Sequence, residues 1–84
     1  MSHPMLPDAR MLDFFDRHVT TLIVEKYAFD ERRALRSFLE SETYRMLLDH
    51  ETGIYAESPR FVFDLWECEQ ITGDPRNSIN IRGE

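Results

Sequence analysis

The chain has 84 residues, of which 42% are apolar and 12% aromatic, so it can form one globular core but not two domains. Its net charge of -6 argues against nucleic acid and anionic membranes as partners, because both present phosphate groups. The single cysteine, Cys68, excludes an internal disulfide and the usual zinc-binding cysteine pairs. We predict a cytoplasmic protein, since there is no signal-peptide pattern and no apolar run near the roughly 20 residues that cross a bilayer. We also predict that it holds no metal or cofactor.

A first helix is predicted from about Pro7-Asp8 to Lys26-Tyr27. Proline is favoured in the first turn of a helix, and an acidic side chain is favourable at the positive end of the helix dipole. His18 falls within a broad apolar stripe, so we expect a partly buried histidine and not a general base. The other members of this stripe are Leu12, Phe15, Val19, Leu22 and Ile23.

The second helix is predicted to follow Asp30, whose side chain can accept a hydrogen bond from an amide of the first turn. Its apolar residues are expected to face the core; they are Leu35, Phe38 and Leu39. The opposite face carries the one basic cluster of the sequence, formed by Arg32, Arg33 and Arg36. Nearby acidic residues balance these charges, which favours a solvated helix face over a phosphate-binding one.

Ser41 is predicted to cap a third helix, and Gly53 is a natural left-handed stop after it. The apolar set of this helix is Tyr44, Leu47 and Leu48. At its end, Asp49-His50-Glu51 combines two carboxylates with an imidazole. Consecutive helical side chains point in different directions, so we expect this triplet to solvate the helix end and not to bind a metal or catalyse a reaction.

Ser58-Pro59 predicts the start of a fourth helix, which runs to about Thr72 before Gly73-Asp74-Pro75 breaks it. In the remaining segment, Ile79 and Ile81 alternate with polar neighbours and can form a short strand. The predicted fold is all-α. It is a small single-domain bundle of about four helices over residues 1–72, with a flexible C-terminal arm over residues 73–84.

Aromatic side chains are more numerous than a short four-helix core easily encloses. Those of helix four lie on more than one side of it, so either some anchor a partner at the surface or all are buried within the chain. Residues 41–72 also hold seven acidic and two basic side chains, a local balance of -5 that suits a basic partner. The candidate partner-binding residues are Phe61, Phe63, Trp66, Glu67, Ile79 and Ile81.

The middle of the chain carries Ser41-Glu42-Thr43-Tyr44, Leu47-Leu48, Thr52-Gly53 and Ser58-Pro59. This pattern resembles a group of short, uncharacterised bacterial all-helical proteins with a Ser-x-x-Tyr-x-x-Leu, Thr-Gly and Ser-Pro middle, over about residues 28–70. Its residues are helix caps and core positions, and no catalytic residue comes with it. The resemblance implies an accessory or antitoxin-like role beside an ADP-ribosyltransferase-like or toxin-like protein.

The leading hypothesis is a small cytosolic protein-protein interaction module that binds another protein or a second copy of itself, through the aromatic surface of helix four and the acidic face. One alternative is a small enzyme or ligand-binding protein with a site around His18 or His50. We predict no enzyme, because a chain this short has difficulty forming a substrate pocket while filling its own core. The second alternative is nucleic-acid binding through Arg32, Arg33 and Arg36.

Overall fold

The computed structural model of the chain describes residues 9–78, which fold into four α-helices and contain no strand. The helices are α1 (Ala9–Tyr27), α2 (Glu31–Leu39), α3 (Glu42–Leu48) and α4 (Pro59–Thr72). Short 3-10 turns occupy His50–Thr52, Ile54–Ala56 and Pro75–Asn77. The predicted all-α bundle of about four helices is therefore confirmed.

Side chains cap α2, α3 and α4 as the sequence predicts. Asp30, Ser41 and Ser58 each accept a hydrogen bond from the backbone N–H three residues later, at 2.8, 3.0 and 3.1 Å. Each bond satisfies an amide that the start of a helix leaves without a partner, and is worth about 1 kcal/mol. Gly73 ends α4 with a left-handed φ of 86°, a conformation that glycine adopts at little steric cost.

The core is built around α4, which contacts both α1 and α3. Its four buried apolar side chains are Val62, Phe63, Leu65 and Trp66. On α1, residues one and two turns apart face this helix and are buried; they are Phe15, Val19 and Ile23. The second helix contacts α1 and α3 and adds Ala34 and Phe38.

The face that α2 buries differs from the predicted one. Phe38 is buried as expected, but Leu35 and Leu39 are 37% and 40% exposed, and Ala34 takes their place in the core. Two apolar pairs with i, i+4 spacing lie on this nine-residue helix, and its neighbours cover only the pair formed by Ala34 and Phe38. The prediction that Leu35 and Leu39 face inward is therefore wrong.

Two further predictions of burial are also wrong. His18 is exposed, with its ring 4.4 Å from that of Phe14 between centroids, because the buried stripe of α1 is narrower than the apolar stripe in the sequence. Leu48 is exposed as well, whereas Thr43 and Met46 join Leu47 in the interior. The seven-residue helix α3 contacts the core through one narrow face, formed by Thr43, Met46 and Leu47, and Leu48 lies outside that face.

The first residues of the predicted arm contact the bundle. Pro75 and Ser78 are buried, and the Arg76 guanidinium pairs with the Glu42 carboxylate of α3 at 3.4 Å. Residues 73–78 therefore extend the packed domain past the predicted boundary at residue 72. Ile79 and Ile81 lie outside the described residues, so the short strand stays a prediction.

Candidate functional site

The aromatic side chains of α4 form the interior of the protein. Phe63 and Trp66 are 1% and 2% exposed and stack on each other with ring centroids 6.0 Å apart. Phe61 is half-buried against the same core. The prediction of a surface anchor at Phe63 or Trp66 is therefore wrong. For these two residues the alternative of burial within the chain holds, because both α1 and α3 pack against α4.

Glu67 joins α4 to the end of α1. Its Oε2 atom accepts a hydrogen bond from the Tyr27 hydroxyl and pairs with the Lys26 ammonium. The bond to Glu67, with burial and the Glu67 charge, raises the pKa of Tyr27 to about 12. Burial alone would raise the pKa of Glu67, but the hydrogen bonds from Lys26 and Tyr27 and the charges of Lys26 and Arg60 outweigh it and lower that pKa. This predicted partner-binding carboxylate is thus engaged within the chain.

Stability should depend on the ionisation of Glu67. Because its pKa in the folded state lies below the ordinary value of 4.5, its contribution is complete above that value and is lost as the pH falls through the folded pKa. We expect the urea midpoint of the wild type to fall more steeply than that of Glu67→Gln as the pH is lowered from about 5 to about 3. Glu57→Gln, at an exposed position, is the control. Parallel pH profiles for the wild type and Glu67→Gln would contradict the assignment.

The Asp49-His50-Glu51 triplet lies on an exposed turn after α3. The Asp49 carboxylate accepts the backbone N–H of Glu51 at 3.0 Å, and His50 is exposed on the same 3-10 turn. Within residues 9–78, no group of three or more histidine, cysteine or acidic side chains is placed to hold a metal ion. His18 and His50 are both exposed and lie on separate elements, α1 and the 3-10 turn after α3.

The predicted basic cluster lies on the outer face of α2. Its three members, Arg32, Arg33 and Arg36, are exposed. The Arg33 guanidinium stacks on the ring of Phe29 at 3.9 Å from its centroid. The stacking positions the Arg33 guanidinium beside the ring without neutralising its charge.

A groove of about 890 Å³ runs between α1 and α2. Its apolar lining comes from the two exposed leucines of α2 and from Val24 of α1. Its polar lining includes Asp13, Asp16 and Thr20. The groove thus combines exposed apolar side chains with polar groups, as ligand and partner sites commonly do.

Two oxygen atoms of residues lining the groove have no hydrogen-bond donor among the described residues. They are Oδ1 of Asp16 and Oγ1 of Thr20, and each atom is buried. Thr20 is only 8% exposed as a residue. Burial, and then the charge of Asp13, raises the pKa of Asp16. A buried acceptor without a donor is costly, about 1–3 kcal/mol, which makes both oxygens candidates for a bond to a bound molecule.

Sequence reasoning missed this groove, although a signal was present. Asp16, Thr20 and Val24 recur every four residues along one side of α1, next to the buried stripe. Leu35 and Leu39 recur at the same spacing on α2. A second pair of apolar residues on a nine-residue helix indicates that one pair is left uncovered, but the sequence does not say which.

None of the helices in residues 9–78 is long and apolar enough to cross a membrane. Comparison with known proteins finds no match for this chain among protein-family models, curated proteins or solved structures.

Proposed function

We propose that this protein is a small cytoplasmic protein-protein interaction module, accessory or antitoxin-like, that binds its partner in the groove between α1 and α2. The observation that carries the proposal is that Leu35 and Leu39, two exposed leucines on one wall, line the same groove as Asp16 and Thr20, each of which has a buried oxygen without a hydrogen-bond partner among the described residues. The accessory or antitoxin-like role is proposed from the resemblance of the pattern over residues 41–59 alone.

The energetics favour a groove over a flat patch. Burying a fully exposed leucine contributes about 1.5–3 kcal/mol, so Leu35 and Leu39, which are 37% and 40% exposed, can each still contribute about 0.6–1.2 kcal/mol. Binding energy concentrates where apolar side chains are completely desolvated. Leu48 and Ile71 are also exposed, but neither lines this groove. Isolated exposed apolar residues are normal on protein surfaces, whereas adjacent ones in a concavity mark a binding site.

The other candidate functions have weaker support. An enzyme site around His18 or His50 would need polar groups that converge, yet both side chains are exposed on separate elements and neither lines the groove. Nucleic-acid binding would rest on the exposed arginines of α2 in a chain whose net charge is -6. We therefore favour a protein as the ligand.

Affinity purification with matched variants tests the proposal. A tagged chain carrying Leu35→Asp and Leu39→Asp should recover its protein partner from the source organism at least about tenfold less well than the wild type, because each carboxylate would be desolvated against an apolar surface. Leu48→Asp places one such charge on a leucine that is 48% exposed outside the groove, and this chain should recover the partner normally.

Circular dichroism establishes that all three proteins are folded before the comparison. Equal recovery by the wild type and the doubly substituted chain, or equal losses with Leu48→Asp, would show that the groove is not the binding surface.

A further inference from the structure

We propose that the occupant of the groove is an amphipathic helix of a different protein, and that a lysine or arginine on its apolar face pairs with Asp16 and Thr20. This inference rests on the proposed function above and names the chemistry of the partner.

The spacing of the groove residues fits a helix. Asp16, Thr20 and Val24 follow one another at single-turn intervals on α1, and Leu35 and Leu39 do the same on α2. At 1.5 Å per residue, the α1 positions span roughly 12 Å, or about two helical turns. A helix seated in such a groove presents side chains at positions i, i+3 or i+4, and i+7, which match this repeat.

The polar residues of the groove include two with an oxygen that lacks a hydrogen-bond partner among residues 9–78. Thr20 is more than nine-tenths buried, and its Oγ1 atom has no donor among the described residues. The nearby Arg17 pairs with Asp13 at 3.2 Å and is not bonded to Asp16. An ammonium carries three N–H donors and a guanidinium five, so either can bond a carboxylate and a hydroxyl oxygen together.

Charge favours a basic partner over a second copy of this chain. The charged side chains of the groove are four acidic and two basic; they are Asp13, Asp16, Glu25, Glu31, Arg17 and Arg32. A second copy would bring the same excess of acidic groups and the same net charge of -6. A helix that carries a cation among its apolar residues complements the groove in both sign and shape.

Selection from a displayed library of amphipathic helices tests this inference with defined probes. The library varies every position of the apolar face of the helix, and the full chain is the bait. Helices that also bind the Leu35→Asp/Leu39→Asp chain are removed, so that the remaining binders depend on the groove. We expect groove-dependent binders to be enriched in one lysine or arginine on that face. Asp16→Asn should weaken them by about tenfold to a hundredfold, the value of a charge-assisted hydrogen bond.

Two controls separate binding from folding. Asp64→Asn changes a partly buried aspartate of α4 that pairs with Arg60, and should leave the affinity unchanged. The midpoint of thermal unfolding should not fall in Asp16→Asn, because the amide removes a desolvated charge without changing the shape; a purely structural aspartate would instead lower it.

Binders that lack the basic residue, or that are insensitive to Asp16→Asn, would overturn the inference while leaving the groove as the binding surface. A library that yields no groove-dependent binder would also overturn it. So would light scattering that finds a dimer of the wild type and a monomer of Leu39→Asp, because a second copy would then occupy the groove. Failure of the proposed function itself is recognised separately, by equal partner recovery with and without the two leucines.

Discussion

Replacing Trp66 with alanine is expected to remove a large fraction of the stability of the domain. The side chain is almost completely buried, stacks on Phe63 and meets the ring of Tyr27 edge-on at 5.9 Å between centroids. Truncating a buried tryptophan costs about 3–5 kcal/mol. A chain of this length has a total stability of about 4–13 kcal/mol at roughly 0.05–0.15 kcal/mol per residue, so the loss is a large fraction of it. Urea unfolding followed by circular dichroism measures this change.

Ile71→Ala is the matched control for Trp66→Ala. It also truncates an apolar side chain of α4, but that side chain is 77% exposed, so stability should change by less than about 0.5 kcal/mol. Trp66→Phe should be much milder than alanine, since it keeps an aromatic ring and removes the buried indole N–H, which has no acceptor among residues 9–78. If Trp66→Ala were as stable as Ile71→Ala, Trp66 would lie at the surface and the sequence-based anchor would be restored.

Removing the Glu69 carboxylate should have the next largest effect. Its oxygens accept the backbone N–H groups of Glu42 and Thr43, both at 2.9 Å, and the Thr43 hydroxyl at 2.8 Å. This carboxylate acts from another helix, α4, and together with the N-cap Ser41 it satisfies the amides at the start of α3. Because Thr43 is fully buried, Glu69→Ala would leave its polar groups without partners, and we expect a loss of about 3 kcal/mol.

The Glu69 prediction has two matched comparisons. Glu69→Gln keeps an oxygen acceptor but removes the charge, so its loss in urea unfolding should fall between those of the wild type and Glu69→Ala. Gln70→Ala changes the neighbouring exposed residue and should stay within about 0.5 kcal/mol of the wild type. Similar losses in Glu69→Ala and Gln70→Ala would mean that the carboxylate does not hold α3 in solution.

Local features of the fold could be predicted from the sequence because their partners lie within one turn. The caps at Asp30, Ser41 and Ser58 bond amides three residues later, and Gly73 supplies its own left-handed conformation. These signals place the starts of three helices and the end of the last one. The interhelical cap from Glu69 could not be found in this way, since 26 and 27 residues separate it from its partners.

The candidate site was less predictable, because tertiary contacts decide which of several apolar faces is covered. Phe63 and Trp66 are compatible with an anchor or a core position until α1 and α3 are placed against α4. For α2, the pattern gives two apolar pairs and no means to choose between them. The same choice produces the groove, since the leucine pair that the core leaves uncovered forms one of its walls.

Site-specific photocrosslinking in the source organism tests most directly whether the partner binds in the groove and not on α4. A benzophenone amino acid replaces Leu35 in one chain and Ile71 in another, both exposed positions on different helices. We expect the chain modified at Leu35 to form one discrete crosslinked product with another protein and the chain modified at Ile71 to form none. A discrete product from the Ile71 position, with none from Leu35, would contradict the account and return the binding surface to α4.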